Sequence, residues 1–520
     1  MKILVLYPGQ QFSRDKSLGC SVLGGILKRE NHKVSLFDSS RYDQTRVLHN
    51  TALREGKMVP LDWHKKSSYK LPMPDTHIDV IEAFNRKLDE FQPDVIFVTT
   101  TYLTFSIANK IISLSNARNS MVIYGGIHCI TNPEHALNGN NVKYIHVGEG
   151  EISVPIILKK LEKNESIDSC DNIWVKKDNG EIIRNERTEM IKNLDDLPFY
   201  DWDIFLEDNY YERLFSGKLY RFGDYSISRG CVNKCNFCFY RTVLDAYGIE
   251  KNIVRRYSAE RAIEELVYLK EKYNLTFIKF HDSDFLCAGS SYLDKFSTLY
   301  QKHVNLPTTI NGCIEYASQK KSKFLVKMNC QSISIGLESG NEDIRRRLLN
   351  RHYTNKLVVD NVKMLRENGI RVLAGNIIGL PGETRGNMME TMMLNKKAKV
   401  DYAHFNIFFP LPNLPLTRYA VEKGYLENDK NVDDYIYGME SPLKHLISQK
   451  QLRNIHRSMM LYVKLPYFMF PLIKFAEKYN IVFRLLRSIY FFKLHYLDIS
   501  RFILRNRRHK VLNGLGDAAK

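Results

Sequence analysis

The stretch RGCVNKCNFCFY, Arg229 to Tyr240, decides how this chain is read, because it places Cys231, Cys235 and Cys238 within eight positions. The other six of the nine cysteines (Cys20, Cys129, Cys170, Cys287, Cys313 and Cys330) stand singly. An odd number so scattered fits a reducing compartment better than a disulfide framework. Those six read as small buried residues or incidental thiols. The compact trio points to a metal. Structural zinc asks for four Cys or His ligands in a closed tetrahedron, and no second Cys-x2-Cys lies nearby to pair with Cys235-x2-Cys238. A cubane iron–sulfur cluster takes one ligand per iron, so three thiolates leave one iron open for a substrate or cofactor.

Around this loop lie 520 residues, enough for two or three domains. Hydrophobic residues make up 44% and charged ones 26%, with no low-complexity tract or short repeat, which is the composition of a folded globular chain. The opening MKILVLYPGQ has an apolar run that breaks at Pro8-Gly9, too short for a signal peptide, and is read as a first β-strand. No segment reaches the roughly 18 uninterrupted apolar residues of a spanning helix. The nearest, LYVKLPYFMFPLI, is interrupted by Lys464 and two prolines. A cytoplasmic protein is expected.

Over residues 1–165 the strand-like KILVLY, KVSLFD, DVIFVTT, SMVIYGG and KYIHVGEGE alternate with the helical LGGILKREN and IDVIEAFNRKLDEF, with an insertion around 45 to 75. This alternation predicts an α/β, Rossmann-like domain with a parallel sheet. Such sheets bind ligands beyond the carboxyl ends of their strands. Those ends carry Tyr7-Pro8-Gly9, Thr99-Thr100-Thr101, Gly125-Gly126 and Gly148-Glu149-Gly150. A connector over 166–225 holds the hairpin-like IWVKKDNGEIIRN and the turn-rich LDDLPFYDWD. A second strand series then occupies 226–430, at DYSISR, FIKFHDSD, TTINGC, QSISIGLES, RVLAGNIIGLPGE and AHFNIFF. Six βα repeats predict a partial (β/α)6 barrel, whose chemistry sits on the loops after the strands. The cysteine trio falls after the first of them.

At this point the residues resemble a known family. Cys231-x3-Cys235-x2-Cys238 with Phe237 before the last cysteine, opening a six-fold βα series, is similar to the radical S-adenosylmethionine (SAM) superfamily. The resemblance implies a [4Fe-4S] cluster held by the three cysteines. FHDSDF, with Asp282 and Asp284, is similar to the motif that holds the methionine amino group of SAM. GLESG resembles the segment whose glutamate, here Glu338 followed by Ser339, meets the ribose hydroxyls. GNIIGLPGET, with Gly379, resembles the stretch that runs past the adenine. FPLPNLPLT is similar to a proline-rich stretch after the sixth strand, although Pro412-Asn413-Leu414 stands where Pro-Gly-Thr is usual.

The amino-terminal half resembles the cobalamin (B12)-binding domain that precedes the barrel in one branch of that superfamily. Its landmarks are YPG, LGGILKRENHKVSLFD, QPDVIFVTTT, YGGIHC and VGEGE, and LDDLPFYDWD resembles the linker. The resemblance implies cobalamin contacts from Tyr7, Pro8, Gly9, Thr99, Thr100, Thr101, Gly125, Gly126, Gly148 and Glu149. The Asp-x-His-x-x-Gly signature of a protein ligand to cobalt is absent from the sequence. His128 is left unassigned, because a lone histidine is more often a pocket wall than a ligand. Gly125, Gly126 and Gly148 also serve as turn glycines on the plainer reading.

The last region, 431–520, is helical and basic. From Lys464 to Lys520 it carries twelve Lys and Arg against Glu477, Asp498 and Asp517, a net +9 that is half of the formal +18. A solvated packing face is the commonest meaning of such charge. Contact with anionic lipid ranks second, because PYFMFPLIKF and IVFRLLRSIYFFKLHYL mix large apolar residues with single cations. Nucleic acid ranks third, since no RNA-binding module is recognisable.

The resemblance implies an enzyme that forms a 5′-deoxyadenosyl radical and, through methylcobalamin, methylates an unactivated carbon or phosphorus centre of a small molecule or lipid. An external one-electron reductant of flavodoxin or ferredoxin type is then required. Two alternatives stand beside this: a cobalamin-dependent cyclisation, rearrangement or oxidation without methyl transfer, and a non-catalytic corrinoid- or metal-binding regulator.

Overall fold

The computed structural model describes residues 1–9, 16–48, 77–205, 211–251, 253–427 and 439–493. Most of the expected insertion at 45 to 75, and the tail beyond residue 493, fall outside these. The chain divides into two compact units: Met1–Gly230 with Cys238–Thr276 and Leu411–Leu414, and Cys231–Phe237 with Phe277–Pro410 and Pro415–Lys520.

The first unit begins with β1 (Lys2–Tyr7), α1 (Leu18–Arg29), β2 (Lys33–Asp38), α2 (Val80–Phe91), β3 (Val95–Thr99), α3 (Tyr102–Leu114), β4 (Met121–Gly125), α4 (Ile127–Thr131), α5 (Pro133–Leu137), β5 (Tyr144–His146) and α6 (Gly150–Glu162). The strand runs are apolar along their length because both sheet faces are covered. One face packs Leu27 of α1 and Val154, Ile157 and Leu158 of α6 on Ile3, Val95 and Phe97. The other packs Phe84 and Leu88 of α2 and Phe105, Ile107 and Ile111 of α3 on Leu4, Leu6, Ile96 and Val98. In α2 the buried Val80, Ile81, Phe84 and Leu88 form one stripe. The Asp79 carboxylate opens that helix by accepting from the Ile81 and Glu82 N–H groups.

The sheet runs β2-β1-β3-β4-β5, all parallel, and continues antiparallel through β6 (Ile173–Lys176) and β7 (Ile182–Arg184). The strand order reverses at β1/β3, which opens a crevice beyond the carboxyl ends. The hairpin β6/β7 is the expected IWVKKDNGEIIRN.

The expected strand DYSISR is divided. After β8 (Glu212–Phe215), strand β9 runs from Lys218 to Tyr225 and pairs with β8, and the chain breaks at Ser226-Ile227, where the Ser226 hydroxyl donates to the Ser228 carbonyl. β10 (Ser228–Gly230) then pairs antiparallel with β11 (Val254–Arg256), around α7 (Phe239–Ala246). Gly230 has φ +110°, and a Cβ there would stand 2.0 Å from the Ile253 carbonyl, so only glycine permits this pairing. α8 (Ala259–Lys272) completes the unit.

The second unit carries β12 (Phe277–Phe280), α9 (Ser290–Leu299), β13 (Thr308–Gly312), α10 (Gln319–Lys327), β14 (Cys330–Glu338), α11 (Glu342–Arg347), α12 (Asn355–Glu367), β15 (Arg371–Ile378), α13 (Arg385–Ala398) and β16 (Tyr402–Ile407). The five strands are parallel neighbours in the order β16-β15-β14-β13-β12, as the repeated βα pattern predicts. α14 (Pro415–Glu422), α15 (Gln449–Lys464), α16 (Phe470–Ala476) and α17 (Asn480–Lys493) follow. Among the described residues, no helix is long and apolar enough to cross a membrane.

One buried charge cluster fixes the approach to α1. Asp224 accepts from both Arg213 guanidinium nitrogens at 2.8 and 2.5 Å and lies 3.7 Å from Lys16 Nζ, with the Lys16 and Asp224 side chains fully buried. Lys16 also sits 3.9 Å from the Tyr211 ring centroid. Asp224→Ala leaves two buried cations facing each other, and should cost about 3–5 kcal/mol. Urea unfolding should show this as a lower midpoint at unchanged slope.

Candidate active site

In the second unit the parallel strands end where the sequence motifs lie. Residues 231–237 are held there by the polypeptide around them. The Asn236 N–H donates to the Leu349 carbonyl at 3.3 Å and its side chain to the Leu348 carbonyl at 2.9 Å, while Asn350 donates to the Lys234 carbonyl at 2.7 Å. Asn233 bridges to the end of β13. Its amide donates to Cys313 Sγ at 3.2 Å and accepts from the Tyr316 hydroxyl at 3.1 Å, and its N–H points to Cys231 Sγ at 3.5 Å. Phe237 packs against a core that includes Leu349, Leu380 and Phe408. Cys231 is half-buried and burial raises its thiol pKa; Cys235 is buried. Cys238 stands at the amino end of α7 without making a side-chain cap. Among the described residues no three His, Cys, Asp or Glu side chains converge on a single ion.

Beneath Cys235 lies Arg351, almost fully buried. Its Nη1 reaches Cys235 Sγ at 3.8 Å and Glu338 Oε1 at 3.9 Å, and its Nη2 donates to both Glu315 oxygens at 2.8 Å. Glu338 ends β14 with φ +65°, a left-handed conformation that a glutamate adopts at some cost, next to a register shift at Gly336/Glu338. Gly336 makes room for it: a Cβ there would stand 2.1 Å from Glu338 Oε1. Burial, with Glu315 adding to it, pushes Glu338 up to about 7 against the pull of Arg351. Ser339 is fully buried, and its hydroxyl accepts from the Asn341 N–H at 3.3 Å.

After β12, Asp282 and Asp284 are both buried. Asp284 Oδ1 accepts from the Leu286 and Cys313 N–H groups at 3.0 and 3.1 Å, whereas Oδ2 is buried without a hydrogen bond. Burial pushes this carboxyl up to about 6. An orphaned acceptor in such a place is poised for a cationic donor. After β15, Gly379 has φ +68°, and the buried Glu383 carboxyl accepts from the Leu380 N–H, with burial pushing it up to about 8.

In the first unit, a cavity of about 320 Å³ opens at the carboxyl ends of β3, β4 and β5. Its walls include Gly19, Thr99, Gly125, Gly126, His146, Gly148, Glu149 and Gly150. A Cβ on Gly19 or Gly125 would meet no protein atom closer than 3.7 Å, so their missing side chains enlarge the cavity. Gly126 and Gly148 have packing reasons as well. Gly126 has φ +90°, and a Cβ would crowd the Thr100 carbonyl at 2.6 Å; at Gly148 it would crowd Asn172 Oδ1 at 2.4 Å.

The Glu149 carboxylate turns to Arg255, with two contacts of 2.7 Å, and to the Ile191 N–H at 3.0 Å. Burial works to raise its pKa, and Arg255, Arg229 and that N–H outweigh this and hold it below the usual range. Tyr7, Pro8, Gly9, Thr100 and Thr101 are not among the cavity walls. The Gly9 carbonyl is taken by the Ser39 hydroxyl and the Gln44 amide, the Thr100 hydroxyl donates to the Gly125 carbonyl, and Thr101 caps α3.

Sequence reasoning did not find Arg351, Glu315, Asn233 or His146. His146 lines the cavity and is hydrogen-bonded to Ser153 Oγ at 2.7 Å, with burial lowering its pKa to about 4. Arg351 lies 116 positions from the cysteine it touches, a separation that no local motif reveals.

Residues 225–394 match the family model described as the Radical SAM superfamily. These residues form a radical SAM domain, and the chain is an enzyme. A protein of Pyrococcus horikoshii described as an uncharacterized methyltransferase is 27% identical over 344 residues, 65% of this chain and 72% of that protein. The anaerobic magnesium-protoporphyrin IX monomethyl ester cyclase of Cereibacter sphaeroides is 22% identical over 347 residues, 64% of this chain and 54% of its own. Among solved structures, a radical S-adenosylmethionine methyltransferase of Kitasatospora setae with cobalamin and a [4Fe-4S] cluster bound is similar at a TM-score of 0.61. At 13% identity over 94% of this chain and 99% of that one, this likeness concerns the fold.

The raised Asp284 pKa has a measurable consequence for the cofactor-free protein. Below about pH 4 this carboxyl is neutral in both the folded and the unfolded chain. From pH 4 to 6 the unfolded chain ionises first, so stability falls, and above pH 6 the loss stays constant at roughly 2–3 kcal/mol. Asp284→Asn keeps the acceptor oxygen and removes the titration. Its urea midpoint should therefore fall less than that of the unaltered protein between pH 4.5 and 7.

Proposed function

We propose that this protein is a cobalamin-dependent radical SAM enzyme that methylates an unactivated carbon or phosphorus centre of a lipid or specialised metabolite. The observation that carries this reading is the buried, unpartnered Asp284 Oδ2 beside the loop of Cys231 and Cys235, at the ends of parallel strands that also present Glu338. Cys231, Cys235 and Cys238 would hold a [4Fe-4S] cluster. Asp284 and Asp282 would accept from the methionine ammonium of SAM, and Glu338, with Ser339 beside it, from ribose hydroxyls. Gly379, whose φ of +68° favours glycine and where a Cβ would be crowded by Leu452, His445 and Ile407, would turn the chain past the adenine. Arg351, committed to Glu315, positions Glu338 and lends positive charge to Cys235.

In the first unit, Gly125, Gly126, Thr99, Gly148 and Glu149 would line the corrin site, Glu149 through its backbone. Tyr7, Pro8, Gly9, Thr100 and Thr101 would shape the same end of the sheet from behind. When bound, the cluster, SAM and cobalamin supply the electron, the radical and the methyl group, and the protein supplies placement and exclusion of water. An external one-electron donor of flavodoxin or ferredoxin type completes the requirements.

A second reading, cyclisation or oxidation without methyl transfer, is favoured by the likeness to the cyclase. The two are separated by anaerobic reconstitution with iron, sulfide, hydroxocobalamin, reductant and SAM. Methyl transfer predicts bound corrinoid, S-adenosylhomocysteine in matching amount, and 5′-deoxyadenosine. Deoxyadenosine alone would move the assignment to the second reading. Cys235→Ala should abolish both products, whereas a regulator without catalysis would keep its corrinoid binding and have no turnover to lose.

A further inference from the structure

The helices α15 to α17 have one side packed on the second unit and one side exposed. On their inner side they are firmly held. Lys396 of α13 reaches the Tyr462 and Val463 carbonyls at 3.2 and 3.3 Å and also the Leu465 carbonyl, closing the end of α15. The Glu477 carboxylate accepts from Arg385 at 2.9 and 2.8 Å and from the Tyr462 hydroxyl at 2.7 Å. Arg457 donates to the Glu477 carbonyl at 2.9 Å and lies 4.8 Å from the Phe483 ring centroid. Ile473, Ala476 and Leu486 are buried by this arrangement.

The outer side is apolar. Phe468 is 81% exposed, Ile481 83% and Leu485 63%, and Leu472, Phe475 and Ile489 are exposed with them. Eight of the eighteen exposed large hydrophobic side chains among the described residues lie between Tyr467 and Ile489, so this is a patch rather than scatter. Ile481, Leu485 and Ile489 recur every four positions and form one stripe of α17.

Lys474, Lys478 and Arg484 rise among these side chains, exposed and with no ion pair among the described residues. Glu477 is the one acidic residue in positions 465–493, and its carboxylate is committed to Arg385. A two-fold contact between copies would set these cations against their own equivalents. A bilayer with anionic headgroups satisfies both features at once, since it takes the apolar side chains at the acyl boundary and the cations at the headgroups.

We propose that the face formed by Phe468 in the turn before α16, Leu472 and Phe475 of α16, and Ile481 and Leu485 of α17, flanked by Lys474, Lys478 and Arg484, docks the protein on an anionic lipid surface. This stands independently of the reaction assigned above.

Co-sedimentation of the full-length protein with vesicles of phosphatidylcholine, with and without phosphatidylglycerol, tests it. Binding should be at least tenfold tighter to the anionic vesicles, with roughly a fivefold contribution from each cation at low salt. Phe468→Ser with Ile481→Ser and Leu485→Ser should lose that binding. Lys474→Glu with Lys478→Glu and Arg484→Glu should lose the preference for phosphatidylglycerol, and both variants should keep the circular dichroism spectrum of the unaltered protein. Failure to bind either vesicle would overturn the proposal, as would binding that both variants retain. Light scattering that showed a dimer dissociated by the serine variant would also overturn it, by assigning the face to a second copy.

Discussion

The second unit depends on one buried guanidinium. Arg351 sits where Glu315, Glu338 and Cys235 meet, and its charge is what lets two carboxylates and a thiol share a nearly dry space. Without it, the negative groups would repel one another and desolvation would hold them neutral. The Glu338 carboxyl, raised to about 7 even with Arg351 beside it, shows how close that balance is. The left-handed backbone at Glu338 belongs to the same constraint, since it aims the carboxylate across Gly336 toward the guanidinium. Strain of this kind persists where the surroundings over-determine the conformation.

The first unit reaches its cavity by other means. Its walls are made by omission, with glycines at the ends of β4 and β5 and at the start of α1 and α6. Its two acidic side chains, Glu149 and Glu151, are paired with Arg255 and Arg229. Such a surface offers backbone and shape to a large, flat partner, whereas the second unit offers ionisable groups to a small charged one. That contrast is the physical basis for assigning different cofactors to the two units.

Much of this was legible in the sequence because it is local. Strands that end in Gly, Asp or Glu announce themselves within a few residues, so β12, β14 and β15 carried Asp284, Glu338 and Gly379 to their places without tertiary knowledge. DYSISR was misjudged because its break rests on a Ser226 hydroxyl and on the close approach of Gly230 to Ile253, and neither leaves a pattern in the sequence. Tyr7, Pro8 and Gly9 also stand at a strand end, yet Gly9 is claimed by Ser39 and Gln44, thirty or more positions away. Arg351 and Glu315 stayed hidden for the same reason: their importance is made by convergence.

The central claim is that the loop of Cys231, Cys235 and Cys238 leaves one iron of a cluster open for SAM. Low-temperature electron paramagnetic resonance of the reconstituted, reduced protein tests this most directly, with SAM added and omitted. The account predicts a single [4Fe-4S] signal whose g values move when SAM is added, and no such movement in Asp284→Ala. A signal indifferent to SAM, or a cluster that survives replacement of all three cysteines by alanine, would contradict it.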